Sequence, residues 1–132
     1  MVLLTGENLH LEEMRSILFQ QEKIDLDKNA LVRVQKSREA VDRIVREGKT
    51  VYGINTGFGK FSDVSINEED VRALQLHLIR SHACGIGEPF EEHVSRAMVV
   101  LRLNALLKGF SGIRVEVLER LAYMVNHQIH PV

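Results

Sequence analysis

One glycine-rich stretch, residues 51–60, holds the residue types best suited to chemistry. It reads Val-Tyr-Gly-Ile-Asn-Thr-Gly-Phe-Gly-Lys. Tyr52 supplies a phenol and Asn55 an amide, and the glycines permit backbone with positive φ or the close approach of another group. The spacing therefore predicts a shaped loop of the kind that carries binding or catalytic side chains. The alternative is a surface turn that only connects two helices.

Composition predicts one ordinary globular domain over residues 1–132. Hydrophobic residues make up 45% of the chain and charged residues 27%, and the formal net charge is −1. This balance gives no electrostatic reason to expect nucleic acid or an anionic membrane as a partner. The single cysteine, Cys84, excludes an intrachain disulfide and fits a reducing cytoplasm. The chain has no signal-peptide pattern and no Cys/His spacing typical of a metal site.

The pattern of apolar residues predicts a mainly α fold that positions this loop. Apolar residues recur at helical spacing in five segments, and Asp27 is a candidate N-cap. Residues 21–27 are predicted to be a polar connection, and short strands are predicted at 2–5 and 50–54. The five predicted helices cover residues 9–20, 27–47, 65–82, 90–108 and 113–126.

The predicted helix over residues 90–108 is apolar on most of its sides. A helix of that kind is expected to be buried all round. Two interpretations stay open: it belongs to the core of a larger bundle or oligomer, or it is a central helix wrapped by the other four.

Four phrases, in this order, carry a resemblance to a known family. The first is the Tyr-Gly-Ile-Asn-Thr-Gly-Phe-Gly of the loop. The others are Leu-His-Leu-Ile-Arg-Ser-His-Ala-Cys-Gly-Ile-Gly (76–87), Arg-Leu-Asn (102–104) and Gly-Phe-Ser-Gly-Ile-Arg (109–114). Together they resemble the N-terminal part of the aromatic amino acid ammonia-lyases, a larger helical-bundle fold. The resemblance extends over essentially all 132 residues, and Ser81-His82 before Gly-x-Gly is similar to the histidine-specific branch.

The resemblance implies a carbon–nitrogen lyase of histidine catabolism that converts L-histidine to trans-urocanate and ammonia. In that family the electrophile is a methylidene-imidazolone group made from an internal Ala-Ser-Gly, and the enzymes are tetramers whose sites combine several subunits. Tyr52 matches the tyrosine that acts as a base or orients the substrate amine, and His82 matches the residue that contacts the substrate imidazole. The residues that shape the loop would be Gly53, Asn55, Thr56, Gly57 and Gly59. The other histidines are interpreted as surface or local hydrogen-bonding groups.

The chain departs from the family because it contains no Ala-Ser-Gly. Its nearest string, Phe110-Ser111-Gly112, belongs to a different motif of the family. We therefore expect an N-terminal fragment in which the cofactor cannot form and which is inactive alone. Two alternatives stay open: a non-catalytic helical interaction module derived from the lyase scaffold, and a fragment of a tyrosine or phenylalanine ammonia-lyase or an aminomutase.

Overall fold

The computed structural model describes residues 1–54, 56 and 68–131, with the side chains of 68–72 left out. Within these residues the chain forms five helices and two strands, which confirms the predicted mainly α fold. No helix among them is long and apolar enough to cross a membrane. In chain order the elements are β1 (Val2–Leu4), α1 (Leu11–Phe19), β2 (Ile24–Leu26), α2 (Lys28–Arg46), α3 (Glu68–His82), α4 (Glu92–Leu106) and α5 (Val115–Asn126).

The two strands form a parallel pair, and one of them was not expected. Val2 pairs with Ile24 and Leu4 with Leu26, so the prediction of a polar connection over residues 21–27 is wrong for its second half. The inward side chains at both ends of each strand are buried and the middle residue is exposed, as the two-residue period of a strand requires. The strand predicted at 50–54 is wrong: residues 50 and 51 are irregular and residues 52–54 form a turn.

Local sequence signals set the helix ends. The Asp27 carboxylate accepts a hydrogen bond from the Ala30 N–H at 2.8 Å, which confirms the predicted N-cap of α2. After α4, Gly109 adopts a φ of 82°, the left-handed conformation that commonly ends helices. The helix predicted over residues 90–108 therefore ends close to its predicted boundary.

The chain divides into two compact units. The first unit comprises Met1–Ala40 with Pro89–Val132, and the second unit is Val41–Glu88. In the first unit α4 packs against α1 and α5, and α5 packs against β2. The Asn126 side chain at the end of α5 both accepts from the Ile24 N–H (2.8 Å) and donates to the Ile24 carbonyl (2.9 Å). This paired hydrogen bond fixes β2 to the end of α5.

Helix α4 carries two rows of side chains with opposite surroundings. The buried row is Arg96, Val100, Leu103 and Leu107, and the exposed row is Val94, Met98, Leu101 and Ala105. Each row follows the alternating four- and three-residue spacing with which one helix packs against another. The first unit thus covers one row and leaves the other on its surface.

Candidate functional site

The predicted loop begins with a hydrogen-bonded turn. The Ile54 N–H donates to the Val51 carbonyl at 3.1 Å. Gly53, the third residue of this turn, has a φ of 78°, the value that a type II turn needs at this position and that glycine adopts without strain. Thr56 is buried, with 3% of its surface exposed. The other predicted loop residues, Asn55, Gly57 and Gly59, lie outside the described residues.

Tyr52 occupies the second position of that turn and points its ring into solvent. Its exposed fraction is 64%. An exposed phenol at the outer corner of a turn is accessible to a small molecule, and it has not been recruited into a hydrophobic core. The role of Tyr52 toward a substrate stays a prediction.

His82 is the last residue of α3, and hydrogen bonds orient its ring. Its Nδ1 lies 2.9 Å from the Leu78 carbonyl and 3.0 Å from Ser81 Oγ, whose hydroxyl also donates to the Leu78 carbonyl at 2.9 Å. A carbonyl oxygen only accepts, so a hydrogen bond from the ring to Leu78 requires the neutral tautomer that carries its proton on Nδ1. The exposed Nε2 is then a hydrogen-bond acceptor.

Tyr52 and His82 belong to the same compact unit, Val41–Glu88. Within the described residues, the side-chain hydrogen bonds of His82 stay on α3, with Leu78 and Ser81, and none joins it to Tyr52. The combined action of the two side chains on one substrate therefore stays a prediction.

Other phrases of the family resemblance have structural roles in the first unit. The Asn104 side chain accepts the Gly6 N–H at 3.1 Å, which ties the segment after β1 to α4. A Cβ added to Gly109 would lie 2.9 Å from both the carbonyl carbon and the Cβ of Arg33. Gly109 therefore allows the turn after α4 to pass close to α2.

The Phe110-Ser111-Gly112 turn does not fit the cofactor that the family resemblance implies. Phenylalanine stands where the triad has alanine, and its ring is 90% exposed. Both peptide groups of Gly112 are engaged by α2: its N–H donates to Ser37 Oγ (3.0 Å), and its carbonyl accepts from Arg38 Nη1 (3.3 Å). This turn anchors the residues before α5 to α2.

Sequence reasoning missed Arg96. It lies at the start of the buried row of α4, with only 4% of its surface exposed, inside a segment interpreted as almost uniformly apolar. The available signal was its spacing, four, seven and eleven residues before Val100, Leu103 and Leu107. A charged residue in phase with a buried apolar row is uncommon, because burial of an unpaired charge is costly.

Comparison with known proteins connects this geometry to a family. The family model for aromatic amino acid lyases matches residues 9–132. Histidine ammonia-lyase of Bacillus subtilis (strain 168) is 58% identical over 132 residues, which are 100% of this chain and 26% of that protein. The chain thus spans about a quarter of the length of the curated relatives it matches.

Solved structures share the same fold at lower identity. The ergothioneine-degrading ergothionase of Treponema denticola superposes with a TM-score of 0.92 at 33% identity, over 98% of this chain and 26% of that one. Tyrosine aminomutase of Streptomyces globisporus superposes with a TM-score of 0.87 at 36% identity, over 95% of this chain and 24% of that one. Because the family model covers nearly the whole sequence and the helices superpose on its solved members, this chain belongs to the aromatic amino acid lyase family.

Proposed function

We propose that residues 1–132 form the N-terminal region of a histidine ammonia-lyase, which eliminates ammonia from L-histidine to give trans-urocanate. The observation that carries this proposal is the 58% identity to the Bacillus subtilis enzyme over the whole chain. Solved structures do not separate the substrates: ergothionase and tyrosine aminomutase superpose with TM-scores of 0.92 and 0.87 at 33% and 36% identity, and histidine ammonia-lyase of Trypanosoma cruzi with 0.85 at 36%. The fold is common to these enzymes, so the substrate assignment depends on sequence.

His82 is proposed to select the substrate side chain. Its Nδ1–H is engaged by its own helix, which leaves Nε2 as an acceptor. A neutral substrate imidazole carries one N–H donor, which this acceptor complements, whereas the phenyl ring of phenylalanine has no N–H or O–H to donate. A site built to hydrogen-bond its substrate rejects analogues that lack the group, because its own polar atom is then left unpaired.

Tyr52 is proposed to act on the amine or the β-proton of the substrate. The ordinary pKa of tyrosine is about 10, so a basic role near neutrality requires neighbours that stabilise the phenolate. The electrophile of the family is not available within residues 1–132, because the sequence has no Ala-Ser-Gly and the Phe110-Ser111-Gly112 turn does not fit it. We therefore expect this chain alone to form no urocanate from L-histidine.

A chimera tests the function directly. In this chimera, residues 1–132 replace the aligned segment of the Bacillus subtilis enzyme. The chimeric enzyme is then assayed with L-histidine, L-tyrosine and L-phenylalanine. We expect the ultraviolet absorbance of urocanate to rise with L-histidine only. A chimera that folds and prefers L-tyrosine or L-phenylalanine would refute the substrate assignment, and urocanate formation by the isolated 132-residue chain would refute its predicted inactivity.

Matched variants of the chimera test the two residues. Tyr52→Phe removes only a hydroxyl, and we expect kcat to fall about 10²–10⁴-fold, the usual contribution of a proton-transfer group. Tyr123→Phe is its control, since Tyr123 is similarly exposed at 53%. His82→Leu is expected to raise KM for L-histidine about tenfold to a hundredfold through the lost hydrogen bond. Its control, His77→Leu, changes another exposed histidine of α3.

The exposed row of α4 supports a further part of the proposal, that the protein forms a homo-oligomer. Met98 and Leu101 are 56% and 55% exposed and lie between Val94 and Ala105 in helix-packing register. An apolar row in that register is complementary to the same row of a second copy. We therefore expect the isolated chain to self-associate through α4, as an early contact of the tetramer that the family resemblance implies.

Sedimentation velocity over a dilution series measures this association. Met98→Glu is expected to shift the chain to monomer, because it places a charge in the contact. Val32→Glu is the matched control, since Val32 is 53% exposed on α2 and outside the row. A wild-type chain that stays monomeric at all concentrations, or equal effects of both variants, would contradict the proposed contact.

A further inference from the structure

The first unit contains a small polar cavity whose lining includes neither Tyr52 nor His82. Its volume is about 170 Å³; the end of α1, the first turns of α4 and the residues after α5 line it, and one side is open to solvent. Five of its six lining residues are polar; the six are Leu18, Gln21, Glu92, His93, Arg96 and His130.

Arg96 is the buried cation of this cavity. Only 4% of the surface of Arg96 is exposed. Its Nε has no hydrogen-bond partner among the described residues. In the same part of the chain no carboxylate is within ion-pair distance of its guanidinium. Burial lowers the pKa of Arg96, yet an arginine side chain stays protonated in proteins. A buried cationic donor without a partner is unfavourable, so the unpaired Nε–H of Arg96 favours an anion beside it.

The two nearby carboxylates face other groups. Glu92 is 87% exposed at its side chain, and its Oε2 lies 3.9 Å from His130 Nε2. Glu91 Oε2 lies 3.3 Å from His93 Nδ1. Glu92 thus lines the cavity at its exposed edge and Glu91 is not one of the lining residues, so the buried charge of the lining is that of Arg96.

A second donor faces the same cavity. The Gln21 side-chain oxygen accepts the Gln128 amide at 2.6 Å, which leaves the Gln21 NH₂ group free to donate within the described residues. A guanidinium and an amide NH₂ together match the acceptor oxygens of a carboxylate or phosphate, and arginine binds such groups in a bidentate manner. The volume of about 170 Å³ is well above the roughly 10–15 Å³ that a single water molecule needs, so the cavity has room for a small oxyanion.

We propose that this cavity is an oxyanion-binding site in which Arg96 and Gln21 hold a carboxylate or phosphate group. The shared chemistry has two possible sources, a free anion from solution or an aspartate or glutamate side chain of the polypeptide outside residues 1–132. The site lies in the first unit, whereas Tyr52 and His82 belong to the second, and it does not depend on the substrate assignment.

The test is anion binding to the 132-residue chain at constant ionic strength, with chloride as the balancing ion. Inorganic phosphate and sodium acetate are the probes, and the resonance of the Arg96 Nε–H group in ¹⁵N-resolved NMR is the direct readout. We expect this resonance to shift and saturate with at least one probe. Arg96→Lys keeps the charge but loses the bidentate fork, and its affinity is expected to fall about tenfold or more. Arg96→Met is expected to abolish the binding measured by calorimetry.

Two further experiments distinguish a free anion from a carboxylate of the polypeptide and separate lost binding from a folding defect. Gln21→Leu alters an exposed residue and is expected to weaken binding without loss of the helical circular dichroism. In the chimera, a continued response to phosphate or acetate assigns a free anion, and a lost response assigns a carboxylate supplied by the added polypeptide. An Arg96 resonance in the isolated chain that responds to neither probe, or unchanged binding in a folded Arg96→Met variant, would overturn the proposal.

Discussion

Gly109→Ala is the substitution whose cost the structure defines best. Gly109 has a φ of 82°, and an added Cβ would lie 2.9 Å from two atoms of Arg33, one of them the backbone carbonyl carbon. A backbone atom cannot move aside like the end of a flexible side chain. Gly48 is the matched control in the same chain, because it has a φ of 64° and no atom within 4 Å of its added Cβ. Alanine at either position has the energetic cost of a positive φ. Only at Gly109 does it also have the steric cost of a close contact.

The expected magnitudes follow from these two costs. An L-residue in the left-handed region costs about 1–2 kcal/mol, which is the whole expected effect of Gly48→Ala. Overpacking against a contact that cannot relax adds about 1–3 kcal/mol. Gly109→Ala is therefore expected to lower the free energy of unfolding by about 2–5 kcal/mol, a large share of the stability of a small domain.

Urea unfolding followed by circular dichroism measures both variants. Stabilities are compared at equal m-values, since a changed m-value would indicate a change in the native or unfolded ensemble and not only in stability. We expect Gly109→Ala to lose about 1–3 kcal/mol more than Gly48→Ala. Equal losses in the two variants would show that α2 does not constrain the turn after α4, and would refute the reasoning.

Three further stability changes follow from described contacts. Asn126→Asp replaces the amide that donates to the Ile24 carbonyl by an acceptor, and should cost about 1–3 kcal/mol in urea unfolding at pH 7; an unchanged stability would contradict the pairing. Asp27→Ala removes the cap of the Ala30 N–H and should cost about 1 kcal/mol, whereas Asp27→Ser should restore most of it. Hydrogen bonds from the N-terminal ammonium and then Ser16 lower the pKa of Glu22 from its ordinary 4.5. This depressed pKa contributes stability above pH 4.5 that is lost as the pH falls through the folded-state value, so the wild type and Glu22→Gln should converge in acid; a difference that does not change with pH would argue against it.

The positions of the helices could be predicted because each is encoded by its own residues. Asp27 is recognisable as a cap and Gly109 as a stop from their residue types alone, and apolar periodicity connects such signals. Strand β2 has no comparable local signal. It is three residues long, and Ile24 and Leu26 form a strand because β1 lies beside them. A pairing between segments twenty residues apart depends on tertiary structure, which a local pattern does not contain.

The candidate site was predictable to a different extent for each residue. The positive φ of Gly53 could be expected from glycine in a turn, and the exposure of Tyr52 follows from its place at the corner of that turn. The tautomer of His82 could not be predicted, because it depends on how the ring meets the Leu78 carbonyl. Arg96 was overlooked because an apolar run was interpreted by its average, whereas burial along a helix is decided by position within the row.

Some of the phrases that identify the family stabilise the fold, and others hold the candidate site residues. Only the second kind can carry information about the substrate. Asn104, Gly109 and Gly112 make contacts that join segments of the first unit. In this chain those contacts support the fold and involve neither Tyr52 nor His82, so we interpret matches at these positions as indicators of the fold. Tyr52 and His82 are exposed, and within the part of the chain that the structure describes no core contact requires a phenol or an imidazole there. Selection for a particular amino acid can therefore act on these two positions independently of stability, and comparison of substrates should begin with His82 and its immediate neighbours.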